Sequence, residues 1–198
     1  VADLNHLSRQ ERTTLFMTLL AGFKILLYRH TGQKKISVGS PIANRTRAEL
    51  ENLIGFFVNT LVLNTDLSGN PSFRDLLARV KKTTLGAYAN QNVPFEKLVA
   101  LLQPERDMSH TPLFQVLFVL QNTPVKTIKL TNLTLRPFLF DRKIAQFDMT
   151  FNLVENENGL SGVVEYNTQL FMPNTVKRII DHFGVLLESI ANNPDQSI

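Results

Sequence analysis

The sequence predicts a fold of mixed α and β elements, and three observations carry the prediction. Segments with apolar residues three and four apart interleave with short runs at a strand's period. No internal repeat divides the chain. Its 43% hydrophobic and 19% charged residues are those of an ordinary globular protein, without a linker-like run. Residues 1–198 are therefore read as one domain.

Thr13 or Thr14 caps a helix that runs to about His30, where Thr31-Gly32 supplies the stop, because glycine readily takes the left-handed conformation past a helix end. Leu15, Phe16, Leu19, Leu20, Phe23, Leu26 and Leu27 cover more than one stripe, so this helix is packed on several sides. Ile36 to Ile42 reads as a strand, with Pro41 marking its end or an irregularity. A short helical turn is expected over Ala48 to Leu53. Phe56 to Leu63 reads as a strand buried on both faces.

Ser68-Gly69-Asn70-Pro71 breaks that strand, and Ser72 with Asp75 resembles a capping box that opens a helix to about Tyr88. Pro94 opens a shorter helix through Leu102, since its missing N–H costs nothing in a first turn. Phe114 to Leu120 is another apolar strand, followed by a polar, proline-punctuated region through Lys143. Phe147, Met149, Phe151 and Leu153 alternate with polar residues, Asn158-Gly159 suits a hairpin turn, and Leu160 to Tyr166 returns. Pro173 opens a last helix with Val176, Ile179, Ile180, Phe183, Leu187 and Ile190 on one stripe.

The net charge of +4, from 21 basic and 17 acidic residues, is scattered rather than gathered into a stripe, which argues against nucleic-acid binding. The absence of cysteine excludes disulfides and thiolate metal sites and suits a reducing cytoplasm. The longest apolar stretch, Leu15 to Tyr28, is too short for a membrane span, and export is not expected, since no charged segment with an apolar run and a small-residue cleavage site is read among the first residues. The four histidines, at 6, 30, 110 and 182, show no HExxH-type pairing, and the glycines form no phosphate or dinucleotide loop, so no metal or bound cofactor is expected.

Asn59 stands out as a polar residue among bulky apolar neighbours. A buried amide without partners costs roughly 1–3 kcal/mol, so it must bond either to backbone or to a bound group. Adjacent Ser109 and His110 do not make a nucleophile and base, because neighbouring residues rarely meet in that geometry and no third member is evident.

Three short sequences in fixed order carry a family resemblance: Gly55-Phe56-Phe57-Val58-Asn59-Thr60, Asn90-Gln91-Asn92-Val93-Pro94-Phe95-Glu96, and Arg106-Asp107-Met108-Ser109-His110-Thr111-Pro112-Leu113. Together they resemble the later motifs of nonribosomal peptide synthetase condensation domains, over nearly the whole chain. The second departs from the family's HQDxPFE at the leading histidine and the acidic third position, and the third has His110 where the family has arginine. The family's paired-histidine motif, HHxxxDG, is absent.

The resemblance implies the C-terminal lobe of such a domain, with a chloramphenicol-acetyltransferase-like α/β fold, an α+β mixed sheet with flanking helices. In the whole domain two lobes form a V around a channel, carrier proteins insert phosphopantetheine arms from opposite faces, and a downstream amine attacks an upstream thioester. The resemblance places Asn59 beside the channel, as positioning or oxyanion-type support, with Phe57, Pro41 and Ala43 as further channel-lining residues. Gly55, Pro94, Phe95, Glu96, Arg106, Asp107 and Ser109 are expected to shape the motifs, and no catalytic residue is assigned in this chain.

The implied partners are the N-terminal lobe, peptidyl carrier proteins and an adenylation domain, with phosphopantetheine as a substrate carrier and no cofactor bound directly. The isolated chain is expected to be inactive and to self-associate through its inter-lobe face. The alternatives are an epimerisation-type relative and a non-catalytic module that docks carrier proteins.

Overall fold

The computed structural model describes residues 1–103, 111–121, 143–156 and 159–198. Six helices among these are α1 (Ala2–Gln10), α2 (Leu15–Thr31), α3 (Ala48–Glu51), α4 (Phe73–Ala89), α5 (Phe95–Leu102) and α6 (Pro173–Asn192). Five strands, β1 (Lys35–Ile42), β2 (Asn59–Asp66), β3 (Val116–Gln121), β4 (Met149–Asn156) and β5 (Gly159–Tyr166), form one sheet in the order β2-β1-β3-β4-β5. The central pairs β1–β3 and β3–β4 are parallel, and the flanking pairs β1–β2 and β4–β5 are antiparallel. The fold is the mixed α/β arrangement the sequence predicts.

Local chemistry explains the main boundaries. The Thr14 side chain accepts from the Met17 N–H to start α2, and Gly32 ends it at φ 71° with its N–H donating to Tyr28 O. Ser72 and Asp75 form a reciprocal capping box at the start of α4. Pro94 sits at the N-cap of α5, one position before the first turn.

Helix α2 is the hub of the core. Phe23 meets Phe118 of β3 at 4.9 Å and Phe151 of β4 at 4.6 Å between ring centroids, and Phe183 of α6 closes the cluster edge-on at 5.9 Å from Phe23. From α4, Phe73, Leu76, Leu77 and Val80 complete the same core.

Three sequence expectations need correction, and one helix was missed. The strand read as Phe56–Leu63 begins only at Asn59, ends at Asp66 and lies at the sheet edge. Its burial alternates through Leu61, Leu63 and Thr65 instead of continuing on both faces, and Phe56 is 92% exposed. Helix α1 was not anticipated because it is short and polar, with only Leu4 and Leu7 as anchors. Ile180 lies off the buried stripe of α6 and is exposed. Phe114 precedes β3 instead of opening it, and its ring is buried. The polar region between Gln121 and Lys143 and residue Asn158 of the hairpin lie outside the described residues.

Candidate functional site

The first two motifs meet at Asn59, the first residue of β2. Its Nδ2 donates to Gln91 O at 2.9 Å and to Val93 O at 2.8 Å, while its Oδ1 accepts from the N–H groups of Thr60 at 2.9 Å and Phe95 at 3.2 Å. All four bonding positions of the amide are used. The α4–α5 connection is thereby tied to the start of β2. Both amide N–H bonds end on backbone carbonyls, so the side chain has no donor left for a developing oxyanion, and what it does here is position Gln91 through Phe95.

The chain of contacts continues to Phe114, the residue that follows Leu113 of the third motif. The Phe95 ring packs edge-on against Phe114 at 5.7 Å, and Phe114 lies near Phe147 at 5.3 Å. Phe114 also covers Gly39 of β1, where an added Cβ would stand 2.2 Å from its ring. Glycine is required there by close approach, not by backbone conformation. Arg106, Asp107 and Ser109 lie outside the described residues.

The connection between β1 and β2 is braced from within. The Arg45 guanidinium sits 4.3 Å from the centroid of the half-buried Phe57 ring and donates to Leu50 O. A Cβ on Gly55 would come within 2.9 Å of the same ring. Around this brace Leu53, Ile54, Phe56 and Val58 are exposed, Ile54 and Phe56 almost completely. Glu96 is exposed in the first turn of α5, where the helix dipole favours its charge.

A cavity of about 500 Å³ opens beside these elements. Pro41 and Ala43 line it, together with Ser40 and Ile42 from the same end of β1. Val119 and Leu120 of β3 form an adjoining wall, Thr14 and Phe16 come from the start of α2, Tyr88 from the end of α4 and Gln91 from the connection that follows it. The site therefore lies where parallel strands β1 and β3 end. Asn59 and Phe57 are outside the lining, but Asn59 acts on it by holding the backbone of Gln91. Burial pushes the Tyr88 phenol above its ordinary value, so it stays neutral at physiological pH.

Sequence reasoning missed Phe16, Tyr88, Gln91 and Val119 as lining residues, since each reads as an ordinary helix, turn or strand residue. It also missed Lys24, which is fully buried in the core of α2. Its Nζ donates to Ile36 O at 2.9 Å and Leu63 O at 2.5 Å, and burial lowers its pKa to about 7. The only sign was a cation inside an apolar helical run.

His30 and His182, distant in sequence, stack at 5.5 Å with Nδ1 of His182 3.4 Å from Nε2 of His30. Desolvation first, then the neighbouring His182 and Arg178, hold His30 below its ordinary pKa. Among the described residues no group of three or more His, Asp or Glu is placed to hold a metal ion, and no helix is long and apolar enough to cross a membrane.

Comparison with known proteins places this architecture. A linear gramicidin synthase subunit of Brevibacillus parabrevis is 54% identical over 199 residues, covering 100% of this chain and 4% of that protein. The chain thus spans a small fraction of that relative's length. A four-domain nonribosomal peptide synthetase, solved bound to AMP and glycine, is similar with a TM-score of 0.90 at 24% identity, over 99% of this chain and 16% of that one. The condensation domain from the Monacolin K polyketide synthase is similar with a TM-score of 0.88 at 20% identity, over 98% of this chain and 45% of that one. The family model described as Condensation domain matches residues 1–198. Mixed sheet, interlocked motifs and this end-to-end match agree: the chain belongs to the condensation-domain family of nonribosomal peptide synthetases and has its chloramphenicol-acetyltransferase-like fold.

Proposed function

We propose that this chain is the C-terminal lobe of a nonribosomal peptide synthetase condensation domain, and that it supplies one wall of a channel in which an amide bond forms between two carrier-bound thioesters. One observation carries the reading: almost all of the chain corresponds to 45% of a condensation domain. The rest of such a domain forms a second body. The exposed apolar residues Leu53, Ile54, Phe56 and Val58 support the same reading, because a lone surface rarely gathers so much uncovered hydrophobic area.

In the reaction, the amine of the downstream aminoacyl group attacks the carbonyl of the upstream thioester, and the thiol of the upstream phosphopantetheine arm leaves. The chain has no HHxxxDG motif. The preceding lobe is assigned the proton-handling groups, and this chain the positioning of the wall through Asn59 and the β1 end. Peptidyl carrier proteins deliver both substrates, an adenylation domain loads them, and the isolated lobe is inactive and self-associating.

The test is an amide-forming assay with two aminoacylated carriers, run on this chain alone and on this chain joined to the preceding lobe. Product only with the joined protein is the expected result, and product from this chain alone overturns the assignment. Carrier binding by the joined protein without product favours a docking module instead.

A further inference from the structure

We infer that the cavity at the ends of β1 and β3 is a side-chain subsite, and that it takes an uncharged, apolar aminoacyl side chain. The inference rests on the channel reading above and adds the chemical class of the group bound.

The wall itself makes the argument. Phe16, Ile42, Val119 and Leu120 bring apolar side chains to it from three separate elements. Among the described residues that line it no side chain is ionised at neutral pH: the polar ones are the hydroxyls of Thr14, Ser40 and Tyr88 and the amide of Gln91. The Thr14 oxygen is already engaged by the Met17 N–H as the cap of α2. A carboxylate or ammonium entering here would lose water without meeting an opposite charge, which is strongly unfavourable, whereas an aliphatic or aromatic group gains by burial. The volume, about 500 Å³, lies within the range of small-ligand sites and exceeds that of one side chain.

The subsite is also held firmly. Asn59 fixes the backbone at Gln91, β1 is paired with β2 as far as Ile42 at this end, and the cap bond fixes the start of α2. A wall whose shape is fixed selects by chemistry instead of adapting to each substrate.

The same chemistry serves an upstream or a downstream aminoacyl group, and the experiment separates them. The complete domain, this chain joined to its preceding lobe, is supplied with carriers bearing leucine, phenylalanine, aspartate or lysine. One arm varies the upstream carrier, the other the downstream carrier. In one arm, leucine and phenylalanine are expected to exceed aspartate and lysine at least 10-fold in kcat/KM.

Val119→Lys is expected to narrow the gap for aspartate and widen it for lysine in that same arm. Val119→Thr, which keeps the volume without a charge, controls for folding together with the melting temperature. Amide formation at equal rates with all four residues in both arms overturns the inference and leaves the channel reading standing. Val119→Lys that folds and turns over without altering the aspartate-to-lysine ratio also overturns it. No amide with any pair overturns the channel reading first, and the subsite with it.

Discussion

Phe95 donates its backbone N–H to Oδ1 of Asn59 across 36 positions of sequence, at 3.2 Å. The same amide holds Gln91 and Val93 by its Nδ2. Two motifs that look independent in the sequence are thus one hydrogen-bonded unit, and Phe95 passes the connection to Phe114 and so to β1. The β1 end that lines the cavity is shaped by residues from three stretches of chain.

Asn59→Ala removes all four bonds and leaves two carbonyls and two N–H groups in need of partners. The site is half-buried, so water recovers part of the loss. The expected cost is about 1–3 kcal/mol in urea unfolding. Asn59→Asp is expected to be at least as damaging despite its shape, because its carboxylate would face the Gln91 and Val93 carbonyls without a proton to donate. An aspartate variant as stable as the wild type would show that the Nδ2 bonds contribute nothing.

Gly39→Ala places a methyl within the Phe114 ring, and the neighbouring strands on both sides leave β1 little freedom to move. Overpacking of this kind costs about 1–3 kcal/mol. If the ring is the obstacle, the same change in a Phe114→Ala background costs clearly less. Equal costs in the two backgrounds would point to backbone strain instead, and a double-mutant cycle by chemical denaturation distinguishes the two.

Ile54 and Phe56 project from the β1–β2 connection with nearly all of their surface in water. If this surface meets another lobe, the isolated chain covers it by self-association. Sedimentation velocity is expected to show dimers or larger species that grow with concentration, and Ile54→Ser with Phe56→Ser is expected to shift the population to monomer. A wild-type monomer across a wide concentration range would remove the surface from the inter-lobe role.

Most helices were legible in the sequence because their signals are local: the Thr14 cap, the Gly32 stop, the Ser72–Asp75 box and the stripe of α6 each act within a few residues. The start of β2 was not. Phe56-Phe57-Val58 has strand-like composition, yet exposed apolar residues in a connection look the same as buried ones in a strand. The cavity was hidden for a related reason. Pro41 and Ala43 entered through family resemblance, while Phe16, Tyr88 and Val119 join them only because the fold brings three helix and strand ends together. Asn59 announced itself as a polar exception, but three of its four partners lie more than thirty residues away and no local pattern reveals them.

Lys24 supplies a prediction about pH whose sign can be worked out. Folded, its pKa is lowered from 10.5 to about 7 by burial. Unfolded, it keeps the higher value. Between these limits the unfolded chain holds a proton that the folded chain lacks, so stability rises as pH increases from about 7 toward 10.5. Below pH 7 both states are protonated and the contribution is at its lowest. The span amounts to several kcal/mol at most, reduced to the extent that the two carbonyls accepting from Nζ support the ammonium form. Lys24→Met keeps most of the volume and cannot titrate. The unfolding free energy of the wild type, measured from pH 7 to pH 10, is expected to climb relative to that of Lys24→Met. Parallel curves for the two proteins would mean that Lys24 remains charged in the core, held by Ile36 and Leu63 in spite of its desolvation.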